Sequence, residues 1–551
     1  MSTPEWVGVS TGNPHIDQAF RISIDLVDDL RAQYLAAGSP PGWLPVSGGK
    51  LGPQITSSDT RDSRHAVQMA AYLWGDESEQ AAVMEEAMFL QYVNGETGAI
   101  THPCNTHSAP AVIIGMFMAC AADTYRYFAS GPQVREAISR AARTVAWVTR
   151  EYDPEGSGLL SCRCEAAGAF WGFHVGEPNH YPPNYDPNAK AIAPTMAYCL
   201  WLAEMHAVAG RLDLPETPCF TEALARTRQA LETQAWSERY GYYFLQHDPL
   251  ADKWFFSLNG LNEDSRETDV TPHYAALGQI ADERRRCVAR WLDRALWHDR
   301  VFPMPVSYPP YAWYSPEHPN YIDHGRDKSV IGGAWDTPYF HCIELLREAG
   351  LVETLELAVR KRAEAITRDG DCIEWYHLDG TVDNATGMHR DRYLVSATAQ
   401  IAATVEGLFG VTPAAPGFAE MNIAPALPLF RRHRHTIYPS PFADRDNTLR
   451  VTLPGGRRLD VTLRYSEDDE IVRLRTNALD IPGHLRLPLD LATRLREARW
   501  AGEPVAYRTM ESMGQDFVLI DHVLDGGELT LHLAPHPQKG KGTTPEVCRH
   551  Q

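Results

Sequence analysis

DTPYFHCIELLREAGLVETLELAVRKRAEAITRDGDCIEWYHLDG, residues 336–380, holds two amphipathic segments separated by Gly350 and followed by an aromatic loop with an acid at its centre. Thr337 before Pro338 predicts an N-cap with Pro at the first helical position, and Gly350 predicts the stop. Phe340, Ile343 and Leu346 lie at helical spacing and supply a buried stripe. A second helix is expected over 351–368. Then comes Ile373-Glu374-Trp375-Tyr376-His377-Leu378-Asp379-Gly380, a loop leading to the next helical segment. A carboxylate framed by Trp and Tyr suits a sugar-binding cleft, because aromatic faces pack on a pyranose while the acid manages a proton or a water. Taken alone, the tract also fits a surface Glu beside two half-buried aromatics. Similar tracts at other helix junctions shift the balance toward a cleft.

The same pattern extends outward. Helical periodicity recurs over 14–36, 62–74, 77–93, 109–129, 132–150, 190–210, 217–235, 270–280, 281–296 and 391–409. In the last of these Leu394, Ala397, Ile401, Val405 and Leu408 form the stripe and Gly410 ends it. About a dozen helices joined by alternately short and long loops predict helical hairpins in a ring, with long loops gathered at one end to build a site. The expected fold is mainly α, an (α/α)6 barrel over residues 1–414. From about residue 415 the period becomes two. Leu449–Leu453, Leu459–Leu463 and Leu529–Leu533 alternate apolar and polar residues, with Gly455-Gly456 as a hairpin turn. These predict a small antiparallel, sandwich-like β domain over 415–535 and a polar, disordered tail over 536–551. Within the helical region Tyr240–Phe244 and Trp254–Phe256 predict one further hairpin.

At 551 residues, 44% of them hydrophobic and 22% charged, the chain has the make-up of a soluble globular protein with a large core. Its formal charge of −20, from 51 basic and 71 acidic residues, argues against a nucleic-acid or anionic-membrane partner. The opening MSTPEWVGVSTGNPHIDQ has neither a basic nor an apolar leader region, so no signal peptide is expected. The longest apolar run, 109–122, is too short to span a bilayer. Ten cysteines are scattered, and the one close pair, Cys162 and Cys164, matches no zinc or redox spacing. Reduced thiols and a cytoplasmic location are expected. The oligomeric state stays open, a homo-oligomer included.

Four loops hold candidate chemistry. Asp59 to His65 places Arg61 and Asp62 at a helix threshold, where they fit sugar hydroxyls or an ordinary helix N-cap equally well. The loop from Tyr152 to Asn188 carries Glu165, Trp171, His174, Glu177, His180 and Asp186; loops of this length inside a domain are more often functional than idle. Nothing in the spacing singles out an acid, but Glu165 follows the Ser157-Gly158-Leu159 turn. The third loop, Tyr308 to Asp327, includes Trp313 and is the most aromatic stretch of the chain, either a proline-stiffened packing loop or a substrate platform. The fourth is the Glu374 loop, where Trp375 and Tyr376, with Trp335 and Asp336 upstream, are candidate sugar contacts. His377, His389, His102 and His107 lack the helical spacing of a zinc site. No dinucleotide fingerprint or Walker A loop is present.

Over about residues 14–410 the order of parts resembles the six-hairpin glycosidases, a set that includes trehalases, the processing α-glucosidase and mannosylglycerate hydrolase group, and α-L-rhamnosidases. Gly332-Gly333-Ala334-Trp335 before a helix, then Ile373-Glu374-Trp375-Tyr376 with Gly380, is similar to their Trp-bearing helix entry and Glu-x-Tyr loop. Val395-Ser396-Ala397 and Glu406-Gly407-Leu408-Phe409-Gly410 around the last helix, and Ile423-Ala424-Pro425-Ala426-Leu427-Pro428 beyond it, are similar too. The resemblance implies that Glu374 is the general base. The chain departs from the pattern at the acid: in the α-glucosidase and trehalase groups Ser-Gly-hydrophobe is followed by the catalytic Asp, whereas here Leu160 follows Leu159. Glu165 is the substitute expected, with Glu177, Asp186, Glu263 and Asp264 as competitors.

The implied activity is an inverting exo-glycosidase for a small neutral saccharide or glycoside, with two carboxylates roughly 6.5–9.5 Å apart and no cofactor or metal. A phosphorylase, in which phosphate held by Arg61 or Arg326 replaces water, is a close alternative. An isomerase or lyase using His174, His180 or Tyr376 stays open, as does a sugar-binding protein without catalysis.

Overall fold

The computed structural model describes residues 3–36, 69, 71–75, 93–100, 125–128, 134–161, 190–239, 241–244, 246–248, 252–255, 268–269, 280–296, 307–308, 336–373, 376–377, 379–382, 393–429, 440–466, 468–488 and 494–534. The expected tail from 536 and the loop over 48–65 lie outside these residues, as do all of the loop expected over 308–327 except Tyr308 and all of the helix expected over 77–93 except Val93. So do most of the helices expected over 62–74, 109–129 and 270–280.

Eight described α-helices fall where a 3.6-residue stripe predicts them: α1 Pro14–Ala36, α2 Val134–Tyr152, α3 Ile192–Arg211, α4 Thr217–Thr233, α5 Asp282–Leu296, α6 Asp336–Glu348, α7 Val352–Asp369 and α8 Leu394–Ala402. Asn13 caps α1, its Oδ1 accepting the His15 N–H at 3.0 Å, and Pro14 starts the helix where no N–H is needed. Its stripe of Ile16, Phe20, Ser23, Ile24, Val27 and Leu30 is buried. This face packs on α7 and α8, so the first helix meets the last two. Likewise α3 packs on α4, with α2 against both, and α6 lies against α5, α7 and α8. All nine residues of α8 are buried, the signature of a helix surrounded by protein. The start of α6 at Asp336 puts Thr337 and Pro338 inside its first turn, a shift of one to two residues from the expected cap. Ile343 and Leu346 are fully buried as expected, and the Phe340 side chain lies outside the description.

Beyond α8 the helix widens into a π turn over Ala403–Leu408. It packs tightly on α6: a Cβ on Gly407 would sit 2.4 Å from Ile343 Cγ2. Gly410 then turns the chain with φ +66, and a Cβ there would lie 2.0 Å from the Ala424 carbonyl oxygen. Only glycine fits that conformation and that space.

The strands are β1 Gly8–Ser10, β2 Lys190–Ala191, β3 Trp236–Ser237, β4 Tyr242–Tyr243, β5 Gln246–Asp248, β6 Lys253–Phe255, β7 Thr268–Asp269, β8 Ser307–Tyr308, β9 Val411–Pro413, β10 Met421–Ile423, β11 Asn447–Leu453, β12 Arg457–Ser466, β13 Ile471–Thr476, β14 Ala478–Leu487, β15 Leu495–Trp500, β16 Glu503–Pro504, β17 Arg508–Ser512, β18 Gln515–Asp525 and β19 Glu528–Leu533. The single hairpin expected from Tyr240–Phe244 and Trp254–Phe256 is instead two. Gly241, at φ +62, reverses the chain early and pairs β4 with β3, bringing the Trp236 and Tyr243 rings to 4.8 Å. β5 then pairs separately with β6.

The C-terminal region forms two sheets, of order β1-β11-β12-β13-β19-β15-β16 and β17-β18-β14-β10-β9. Gly455 and Gly456 turn β11 into β12, with Leu453 opposite Arg457, as the period-two pattern predicts. Leu529, Leu531 and Leu533 alternate inward along β19 and join one apolar core with the helices. Two features differ from the expected all-antiparallel unit. β10 runs parallel to β14, and β1, from ahead of the first helix, supplies an edge to the larger sheet. Among the described residues, no helix is long and apolar enough to cross a membrane.

The π turn carries a buried acid. Glu406 is 1% exposed; Tyr127 Oη donates to its Oε1 at 2.5 Å, and Tyr72 Oη lies 2.8 Å from the same oxygen and 2.9 Å from Val411 O. Burial first, then the charge of Glu344, push its pKa up to about 6 against the opposing pull of Arg126 and the two tyrosines. A carboxyl raised in the folded state binds its proton more tightly there than in the unfolded chain. Its stabilising contribution is therefore full below the ordinary value of 4.5 and is lost as pH rises through about 6. Glu406→Gln, compared with the parent by urea unfolding from pH 4.5 to 7, should remove that downward component of the slope. Parallel stability profiles for the two proteins would refute it.

Candidate active site

α7 ends at Gly370, with φ +70, whose N–H donates to Ile366 O at 2.9 Å. Two residues on, Cys372 is fully buried with its Sγ 3.4 Å from Ser23 Oγ on α1. Its carbonyl accepts the N–H of Tyr393 at 2.9 Å, so the chain leaves and returns at one point. Within this excursion a tight hairpin is pinned. Tyr376 bridges Val382, His377 N–H donates to Thr381 O at 2.8 Å, and Gly380, at φ +80, donates to His377 O at 2.9 Å. Asp379 Oδ1 accepts both the N–H and the O–H of Thr381, at 2.9 and 2.6 Å. From the end of α7, Arg368 Nη2 donates to Gly380 O at 2.7 Å.

Beneath the hairpin lies a buried cation. Arg362 on α7 is 0% exposed, its guanidinium 5.0 Å from the Tyr376 ring centroid and its Nη2 donating to Ser396 Oγ at 3.0 Å. Burial pushes its pKa down to about 10, which leaves it charged at neutral pH. Burial also holds the Tyr376 phenol well above its usual value, so it is a neutral hydroxyl and not a base at neutral pH.

The turn at Ser157-Gly158-Leu159 is built around Asp153, itself 3% exposed. Its Oδ1 accepts Ser157 N–H at 2.7 Å and Ser157 Oγ–H at 2.8 Å, and its Oδ2 accepts Gly158 N–H at 2.8 Å. Gly158 has φ +84, and a Cβ would sit 2.7 Å from Arg226 O. Leu160 is 2% exposed, with its N–H on Thr195 Oγ1 at 3.0 Å. The residue after Ser157-Gly158-Leu159, where the resemblance leads an acid to be expected, is thus a core side chain.

Of the residues singled out in the sequence, Glu374, Trp375, Glu165, Arg61, Asp62, Trp171, His174, Trp313 and Trp335 lie outside the described residues, as do Glu177, Asp186, Glu263 and Asp264. Asp336 is the first residue of α6, with its side chain outside the description. Tyr376, expected to touch a sugar, is 0% exposed and anchors the loop from below. Arg362 was missed, although the sequence carries its signal: a charge set among Leu355, Ala358, Val359, Ala363 and Ile366, all buried on one face of α7. A separate cleft of about 200 Å³, flanked by Arg126, Glu204, Arg211 and Pro416, holds none of the singled-out residues. Among the described residues, no three His, Cys, Asp or Glu side chains are grouped to hold a metal.

No family model matches the chain, and no curated protein matches its sequence. Solved structures do match. An α-L-rhamnosidase from Dictyoglumus thermophilum aligns with a TM-score of 0.60 and 11% identity, over 96% of this chain and 51% of that one. The Streptomyces avermitilis α-L-rhamnosidase gives 0.58 and 12%, over 96% and 42%. The Aspergillus terreus α-L-rhamnosidase gives 0.56 and 11%, over 97% and 50%. At such identities the likeness is one of fold, and this chain spans about half the length of those enzymes. α-L-Rhamnosidases are among the six-hairpin glycosidases that the sequence resembles.

Removing the Asp153 carboxylate leaves the buried Gly158 N–H and the half-buried Ser157 N–H without their acceptor. Asp153→Ala should destabilise the fold by roughly 2–4 kcal/mol and lower Tm by several degrees. A Tm unchanged by scanning calorimetry would show that the turn does not depend on it.

Proposed function

We propose that the chain is an inverting exo-glycoside hydrolase for a small neutral saccharide or glycoside, with Glu374 as general base. The anchored loop between α7 and α8 is the observation that carries this reading. It lies in a chain whose fold is similar to about half of an α-L-rhamnosidase, and it holds an acid two residues ahead of a pinned hairpin. Fold alone does not specify chemistry, so the weight rests on this loop. We further read the helices as an (α/α)6 barrel over 1–414, supported by the packing of α1 on α7 and α8, followed by a sandwich-like domain over 415–535. A cytoplasmic location fits Cys199, Cys219, Cys287, Cys342 and Cys372, which form no disulfides.

In this mechanism Glu374 takes a proton from a water as that water attacks the anomeric carbon. A protonated carboxyl across the cleft gives its proton to the leaving oxygen. Glu165 is our choice for that acid, because Leu160 is committed to the core and the chain runs on from the Asp153 turn directly into the segment that holds Glu165. The neutral, buried Tyr376 weighs against a tyrosine-based isomerase.

A panel of aryl glycosides, beginning with the α-L-rhamnoside because the fold neighbours act on such bonds, should reveal turnover, with NMR of the first product showing inverted anomeric configuration. Glu374→Gln, folded by circular dichroism, should lower turnover by about 10²-fold or more. Near-normal turnover in that variant would remove Glu374 from the mechanism.

A further inference from the structure

Arg362 occupies a site where α7 otherwise buries aliphatic side chains. A guanidinium withdrawn from water is costly, and an apolar residue of similar volume would pack there without that cost. Its contacts show what the charge does. The guanidinium faces the Tyr376 ring within cation–π range, at 5.0 Å, while its edge donates to Ser396 Oγ at 3.0 Å in the first turn of α8. One side chain therefore ties together α7, the hairpin that begins at Tyr376, and the helix that follows the loop's return at Tyr393. A planar fork can face a ring and hydrogen-bond from its edge at once, which a lysine ammonium cannot do equally well. Tyr376 is two residues from Glu374 in sequence, so a fixed Tyr376 limits how far from it the acid can lie.

We propose that Arg362 is a positioning residue: through Tyr376 and Ser396 it holds the Glu374 loop in the geometry that base catalysis requires. This rests on the reading of Glu374 as the base. Small displacements of a catalytic group cost rate far more than they cost substrate binding.

The test uses full-length Arg362→Met and Arg362→Lys, with hydrogen exchange over 371–382 and steady-state kinetics on the aryl glycoside. The Met variant should speed exchange in that segment and lower kcat by about 10²-fold, with KM within about threefold of the parent. The Lys variant should restore part of both. Should both variants fail to fold, Ser396→Ala removes one tether with little change in volume and should move exchange and kcat the same way by less. Unchanged exchange over 371–382, or equal losses in Lys and Met that follow Tm alone, would overturn the proposal. Glu374→Gln run alongside separates the two readings. A large loss there with normal Arg362 variants ends the positioning role only, whereas normal turnover in Glu374→Gln ends the reading on which it rests.

Discussion

Among the described helices the first is packed against the last two, and the arrangement of the helical region depends on that seam. Phe20, Ile24 and Val27 of α1 are buried, α1 packs on α7 and α8, and Ser23 lies beside Cys372 across 349 residues of sequence. Closing so long a loop has an entropic cost that grows only slowly with length, so a few large apolar side chains offset it. Cys372, the residue at the seam, is also where the Glu374 loop departs and, through Tyr393, where it returns. The packing of α1 on α7 and α8 and the footing of the candidate site are one set of contacts.

A second constraint lies at the passage from helices to sheets. The π turn, the fit of Gly407 against Ile343 and the left-handed Gly410 beneath Ala424 leave the chain one route into β9. Glu406 sits at this passage with its carboxyl held by two tyrosines, and Tyr72 also reaches Val411 O in β9. π turns of this kind often mark positions kept for a reason other than helix stability. Here the widened turn places an acid between the helices and the first strand beyond them.

Much of this was legible in the sequence, because periodicity reports burial directly. α1 was expected over 14–36 and is found there, and the alternation around Gly455-Gly456 gave both strands of that hairpin their inward faces. What escaped depends on partners far away in the chain. Residues 8–10 carry no strand pattern of their own and become β1 only because β11 offers an edge. The parallel pairing of β10 with β14 is set by tertiary placement, not by the three residues Met421–Ile423. Tyr376 looked like a sugar platform because aromatics beside an acid suit one, and sequence alone does not tell a ring facing a cleft from a ring facing Arg362. That arginine was visible as an anomaly on an apolar stripe, but its meaning required knowing that the hairpin folds back onto α7. The acid was hardest to read: Leu160 shows where it is not, and the loop beyond carries several carboxylates with no spacing that chooses among them.

In the proposed mechanism the loop rooted at Cys372 and Tyr393 presents Glu374 across a cleft to a second carboxyl group. A crystal structure with a bound product sugar tests it most directly, through the distance between carboxyl groups on either side of the anomeric carbon. Glu374 is expected on one face of that carbon and a second acid roughly 6.5–9.5 Å away on the other. A Glu374 side chain turned away from the sugar, or no carboxyl group opposite it, would rule out the two-carboxylate mechanism.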